Sequence, residues 1–253
     1  MADGYVKSEF HKGITAIEFF HPQSNSLPGK VLHDLAVAID RAGNDPNTIL
    51  IILRSYGEKV FCAGASFDEL AVIQNAEQGL QFFSGFAHVI NTMRICPKFI
   101  IARVHGKCIG GGVGLVAAAD YAIATEYAEI RLSELAIGIG PFVVGPAVER
   151  KIGTSAFSQL TIDATMGRNA QWAGRKGLFA EVHSTIEGMD ESISRLADSL
   201  IHTNPQAMAE MKKILWKGTE HWDHLLLERA AISGRLVLSS FTREAIEKFK
   251  MKR

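Results

Sequence analysis

Apolar and polar positions alternate over Val6–Phe10 and again over Ile14–Phe19, with Lys12-Gly13 between them, a pattern that predicts a β-hairpin. A turn-rich stretch from His21-Pro22 to Pro28-Gly29 follows. Val31, Leu35 and Ile39 then recur at every fourth position and mark a helix that ends near Gly43-Asn44-Asp45-Pro46. Thr48–Leu53 is a continuous apolar, β-branched run, the pattern of a strand buried on both faces. The loop Tyr56–Ser66 leads into a helical region expected to run from Phe67 to Arg94. Phe99–Val104 reads as a second buried strand, Val113–Ala119 as a buried helix, and Tyr121–Thr125 and Glu129–Leu132 as two further strands. Strands alternating with helices predict an α/β fold with a parallel sheet covered on its faces. Beyond about Gly145 the pattern is mostly helical. Ile193, Leu196, Ala197, Leu200 and Ile201 keep helical spacing, Asn204-Pro205 is a helix start, and Thr242-Arg243-Glu244 opens a last short helix. The expected division is an α/β core, 1–200, and a helical C-terminal part, 201–253.

Composition narrows the class. The 253 residues are 47% hydrophobic and 21% charged, enough for a substantial core and unlike a disordered chain. Lys and Arg total 27 against 27 Asp and Glu, so no net field attracts phosphate, which argues against a nucleic-acid partner. Cys62, Cys96 and Cys108 are odd in number and scattered, which points to free thiols in a reducing compartment. The first twenty residues carry Asp3, Lys7, Glu9 and Lys12 and hold no unbroken apolar segment. The uncharged piece Cys108–Ala119 is too short to span a bilayer. A cytoplasmic protein with no membrane partner is expected.

Several motifs fail on inspection. The cluster Gly110-Gly111-Gly112-Val113-Gly114 has Leu115 where a dinucleotide fingerprint needs glycine, and Gly106-Lys107 is followed by Cys108 where a phosphate loop needs Ser or Thr. No G-x-S-x-G elbow is present. His221 and His224, beside Glu220 and Asp223, read as a solvated helix face. What remains is two glycine-bearing turns, Phe61-Cys62-Ala63-Gly64-Ala65-Ser66 and Gly110–Gly114, each between a strand and a helix. Such turns leave backbone N–H groups free to bind developing negative charge. Two of them after parallel strands point to a ligand at the carboxyl ends of those strands.

These residues resemble the crotonase, or enoyl-CoA hydratase/isomerase, superfamily. Val60-Phe61-Cys62-Ala63-Gly64-Ala65-Ser66-Phe67-Asp68-Glu69-Leu70 resembles the family's first acyl-CoA loop, F-x-A-G-A-D-x-x-E-L, and Ile100 to Gly112 its second. Asp120, the run Ile130 to Pro141, and the tail Phe249-Lys250-Met251-Lys252-Arg253 continue in register. The resemblance implies a spiral of ββα turns with two stacked sheets and a C-terminal helical part that builds homotrimers, which can pair into hexamers. It implies an acyl-coenzyme A thioester as ligand, with coenzyme A as part of the substrate and no separate cofactor or metal. The thioester oxygen would be held by the N–H groups of Ala65 and Gly111. Ala63, Gly64, Ser66, Phe67 and Leu70 would contact the coenzyme, as would Phe249 and Lys252 of the tail. Ser66 departs from the family, which usually has Asp there.

The resemblance also locates the acid–base chemistry. Hydratases of this family use two glutamates. The first position is Gly114 here, which carries no proton; the second is Glu134, which otherwise reads as a first-turn helix carboxylate after Ser133. Where hydratases have glycine after a proline, this chain has Phe142 after Pro141. That ring is expected to narrow and dry the pocket and to raise the Glu134 pKa toward about 6–7. One carboxylate suits an isomerase that moves a 3-enoyl double bond to the 2-position. The alternatives are an enoyl-CoA hydratase, including the methylglutaconyl type, a decarboxylase or thioesterase on the same scaffold, and a non-catalytic acyl-CoA or RNA binder.

Overall fold

Lys12 and Gly13 close the first hairpin because both adopt positive φ, 46° and 84°, the twist that a two-residue turn between antiparallel strands requires. The turn joins β1 (Tyr5–His11) to β2 (Ile14–Phe20). The structure, a computed structural model, describes residues 4–251. After the hairpin come α1 (Gly29–Asn44), β3 (Leu50–Ser55), β4 (Val60–Cys62), α2 (Phe67–Val72) and α3 (Ala76–Ile95). Next are β5 (Phe99–Val104), β6 (Lys107–Ile109), α4 (Gly111–Ala118), β7 (Tyr121–Thr125) and β8 (Glu129–Arg131). A short 3-10 turn, Leu135–Ile137, leads to α5 (Gly145–Ile162), which is interrupted at Gly153. The chain ends through β9 (Arg168–Asn169), α6 (Ala170–Arg175), β10 (Glu181–His183), α7 (Ile186–Ile201), α8 (Pro205–Leu215), α9 (Trp222–Leu236) and α10 (Ser240–Lys250).

The strands form two sheets, a six-stranded one in the order β1-β2-β3-β5-β7-β10 and a four-stranded one in the order β4-β6-β8-β9. Successive strands alternate between them: β3, β5 and β7 enter the large sheet, and β4, β6 and β8, which follow directly, enter the small one. Each such pair feeds a helical segment, so the ββα spiral is present as expected. Within each set the strands run parallel. The main core contains Phe19, Leu53, Phe61 and Val113, all fully buried. The outer face of the large sheet is covered by α7 through Met189, Ile193 and Ala197, which pack on Leu50, Ile101 and Ile123.

The helical region expected from Phe67 to Arg94 consists of two helices. Ile73 turns to an extended conformation, and the Asn75 side chain accepts from the Gln78 N–H at 2.9 Å to start α3 afresh. Val60–Cys62, inside the stretch expected as a loop, and Lys107–Ile109, given no element, form β4 and β6, strands too short for an alternation signal. Cys62, Cys96 and Cys108 are free and buried, and burial pushes the Cys62 thiol up to about 12. Among the described residues no helix is long and apolar enough to cross a membrane.

The C-terminal helices lie on the core. A Cβ on Gly79 of α3 would stand 2.5 Å from the Gly234 carbonyl oxygen of α9, so the two helices meet backbone to backbone. Near the far end of the same contact, Arg94 pairs with Asp223 at 2.8 Å. α8 is held by a buried ion pair, Lys212 Nζ to Asp120 Oδ2 at 2.8 Å.

Candidate active site

Three neighbouring parallel strands of the small sheet, β4, β6 and β8, deliver the pieces of one site from their carboxyl ends. β4 runs into Ala63-Gly64-Ala65, β6 into Gly110-Gly111, and β8 through Leu132-Ser133 to Glu134. Glycine is required where the loops meet. Gly64 has φ +85°, and a Cβ on it would lie 2.9 Å from the Ile109 oxygen and 3.4 Å from the Gly111 nitrogen. Gly110 has φ +53°, and a Cβ there would lie 3.0 Å from Glu134 Oε1. The glycine loop therefore sits directly against the Glu134 carboxylate.

Two backbone N–H groups here have no acceptor among the described residues. Gly111 opens α4, where an N–H has no acceptor within its own helix. The Ala65 N–H is absent from the loop and turn hydrogen bonds, although its neighbours are engaged: the Gly64 carbonyl accepts from Leu27 at 2.7 Å and the Ala63 N–H donates to Ser24 at 3.1 Å. Gly110 is anchored to β8, its N–H donating to the Arg131 carbonyl at 2.8 Å.

Glu134 precedes the 3-10 turn rather than opening a regular helix. Its carbonyl accepts from Ile137 at 3.2 Å and from Ile139 at 2.9 Å, which fixes the backbone that carries the carboxylate. Its Oε2 atom is sealed from solvent with no hydrogen-bond partner. Burial pushes the carboxyl up to about 7, because an ionised carboxylate loses hydration there.

A cavity of about 60 Å³ lies between these groups. Ala63, Gly64, Ala65, Phe67, Leu70, Gly111 and Glu134 line it, as does Phe142. The Phe142 ring folds back over Gly140, where a Cβ would meet it at 2.5 Å.

One expected contact is corrected. Gly114 does not line the cavity: Val144 lies over it, and a Cβ on Gly114 would come within 2.5 Å of Val144 Cγ1. Ser66 contributes no side chain to the cavity. It is buried at the start of α2, where its hydroxyl accepts from the Glu69 N–H at 3.4 Å, so it caps a helix. Phe249 does not line the cavity but stacks on Phe67, which does, at 4.2 Å between ring centroids. The neighbouring Lys250 pairs with Asp68 at 3.6 Å. Lys252 lies outside the described residues.

Several lining residues escape sequence reasoning. Phe83 and Phe86 come from α3, Val144 from the turn before α5, and Ser233 from α9. The aromatic spacing in α3 resembled any core helix, and the other two contacts depend on long-range packing. Among the described residues that line the cavity, Glu134 is the one carboxylate. Glu69 is occupied elsewhere, accepting from the Gly29 N–H at 2.8 Å, and Glu77 is exposed.

The family model for enoyl-CoA hydratase/isomerase matches residues 9–251. The chain belongs to the enoyl-CoA hydratase/isomerase family. A Bacillus subtilis (strain 168) protein named "Probable enoyl-CoA hydratase" is 26% identical over 244 residues, covering 95% of this chain and 93% of that one. The mitochondrial methylglutaconyl-CoA hydratase of Mus musculus is 31% identical over 200 residues, covering 78% of this chain and 63% of its own. The crystal structure of enoyl-CoA hydratase from Bacillus halodurans superposes with a TM-score of 0.89 at 22% identity, covering 96% of this chain and 99% of the other, and confirms the fold. The chain is thus a crotonase-family enzyme of the acyl-CoA hydratase/isomerase type.

Proposed function

We propose that this enzyme is an enoyl-CoA isomerase that moves a 3-enoyl double bond to the 2-position, with Glu134 carrying the proton. The observation behind this reading is Val144. It fills the space over Gly114, so the cavity has one carboxylate among its described lining residues.

The chemistry follows from that set of groups. With the thioester oxygen between the Ala65 and Gly111 N–H groups, the Glu134 carboxylate removes a proton from C2. The C–H electrons form a C1–C2 double bond, and the carbonyl oxygen takes up negative charge, which the two N–H donors stabilise. Losing one such donor typically costs about 3–4 kcal/mol of barrier. Glu134, now protonated, delivers the proton to C4 as the double bond shifts to C2–C3 and the carbonyl reforms. A carboxyl near pH 7 suits both halves, since it accepts and releases a proton with little bias. Hydration would in addition need a water held and deprotonated beside C3, work that two acids divide in hydratases. Phe142 and Val144 make this side of the cavity apolar.

The test supplies purified enzyme with 3-hexenoyl-CoA and crotonyl-CoA separately. The expected result is conversion of 3-hexenoyl-CoA to the conjugated 2-isomer, with little or no loss of crotonyl-CoA. Efficient hydration of crotonyl-CoA overturns the isomerase reading.

A further inference from the structure

The cavity holds a second polar group that the isomerisation does not use. The lining residues with polar side chains are Ser133, Glu134 and Ser233. Ser133 and Glu134 sit together after β8. Ser233 is on another wall, formed with Phe83 and Phe86, where it is the one polar side chain among those lining residues. It is 1% exposed, and its hydroxyl has no hydrogen-bond partner among the described residues. That is unusual for a hydroxyl in a helix, which readily donates to the carbonyl four residues back. Thr92 in α3 does so, to the His88 carbonyl at 2.9 Å. The Ser233 hydroxyl makes no such bond to the Arg229 carbonyl, four residues back in α9.

The placement of Ser233 is fixed by the helix pair that carries it. A Cβ on Gly234 would lie 2.6 Å from the Leu80 nitrogen and 2.7 Å from the Gly79 carbonyl carbon. With the Arg94–Asp223 pair at the far end, α9 cannot rotate or slide to withdraw the hydroxyl. A cavity-facing hydroxyl without a protein partner gains by bonding to a ligand oxygen.

We infer that Ser233 is a specificity-determining residue that hydrogen-bonds an oxygen on the acyl chain. The substrate class is then a short acyl-CoA thioester bearing a hydroxyl or keto oxygen away from the thioester. The small cavity, about 60 Å³ and walled in part by Phe83 and Phe86, sets the short length. This rests on the cavity being the acyl site of the proposed function, and is independent of which way the proton moves.

The test measures binding, so that it does not depend on turnover. Wild type and Ser233→Ala are titrated calorimetrically with two pairs of saturated esters of matched shape: 4-hydroxybutanoyl-CoA against pentanoyl-CoA, and 4-oxopentanoyl-CoA against 4-methylpentanoyl-CoA. In at least one pair the ratio of Kd values should move about five- to tenfold toward the hydrocarbon ester on Ser233→Ala, the loss of one neutral hydrogen bond. The Tm should stay level or rise, because alanine removes an unpaired hydroxyl and favours the helix. Ratios unmoved in both pairs, with the esters still bound, overturn the role of Ser233 alone. So does a Tm lowered by more than about 3 °C, which would assign the hydroxyl to structure. If wild type binds none of the four esters, the acyl-site reading fails and this inference with it.

Discussion

Replacing Glu134 by Gln tests the buried carboxylate through stability as well as activity. Burial moves this carboxyl from 4.5 to about 7. Between those values the folded chain holds a proton that the unfolded chain has released, so stability falls as pH rises through this window and levels off above it. At about 1.4 kcal/mol per unit of pKa, the loss between pH 5 and pH 8 is about 2.5 kcal/mol. Wild type alone will not show it cleanly. His105 is fully buried, and burial, aided by Arg103, lowers its imidazole from 6.5 to about 4. That group adds stability as pH rises from 5 to 8, by about 2 kcal/mol, and nearly cancels the Glu134 slope. The informative quantity is therefore the wild-type change minus the Glu134→Gln change, in which His105 drops out. So does the pH-independent cost of leaving an amide unpaired. Thermal melts at pH 5 and pH 8 should show the variant gaining about 5–10 °C relative to wild type on going to the higher pH. The same substitution should lower isomerase turnover by at least about 10²-fold, since an amide cannot carry the proton. The wild-type kcat/KM should rise with pH to a plateau, with a midpoint near the value of about 7. A melt difference independent of pH would show that the carboxylate is solvated, and the argument for a desolvated base would fail.

Two further substitutions probe the packing that shapes the site. Asp120→Ala removes the partner of the buried Lys212 ammonium and the acceptor for Trp216 Nε1 at 2.8 Å; breaking such a pair costs about 3–5 kcal/mol, so Tm should fall by about 10 °C, and a fall under about 3 °C would mean that the pair does not hold α8. Gly114→Glu alone should destabilise through its clash with Val144 by about 1–3 kcal/mol, whereas Gly114→Glu with Val144→Ala should hydrate crotonyl-CoA at least about tenfold faster than Val144→Ala alone. A folded double variant without that gain would show that the missing acid is not what limits hydration.

Much of this was legible in the chain because the relevant signals are local. The glycines that the site requires stand in two short motifs, and Ala65, Gly111 and Glu134 each follow directly on a strand. The register of the resemblance placed these three residues, and the structure brings their segments around one cavity. The break between α2 and α3 was hidden because Ile73-Gln74-Asn75 keeps apolar spacing, and only the backbone turn and the Asn75 cap reveal it. Ser66 carries two signals at once. A serine before a helix is both a family loop position and an N-cap, and the hydroxyl serves the cap. Val144 and Ser233 were illegible in principle. Val144 matters because it meets Gly114 from the next helical segment, and Ser233 because Gly79 and Gly234 bring α9 onto α3.

The absence of the first family acid and the raised pKa of the second are therefore not independent features. A glutamate at position 114 would bring a charge, and water to solvate it, to the wall that Val144 now covers. With glycine there, Val144 closes down, the wall becomes hydrocarbon, and Phe142 closes the neighbouring side. Glu134 then has one carboxylate oxygen with neither solvent nor a donor among the described residues, and its pKa rises to about 7. A carboxylate left near 4.5 would be a weak base toward a thioester α-proton, and a site with two charged acids would favour a bound water between them. In the proposed isomerisation, removing one acid would both deprive the cavity of the group that hydration needs and tune the remaining one for carrying a proton from C2 to C4.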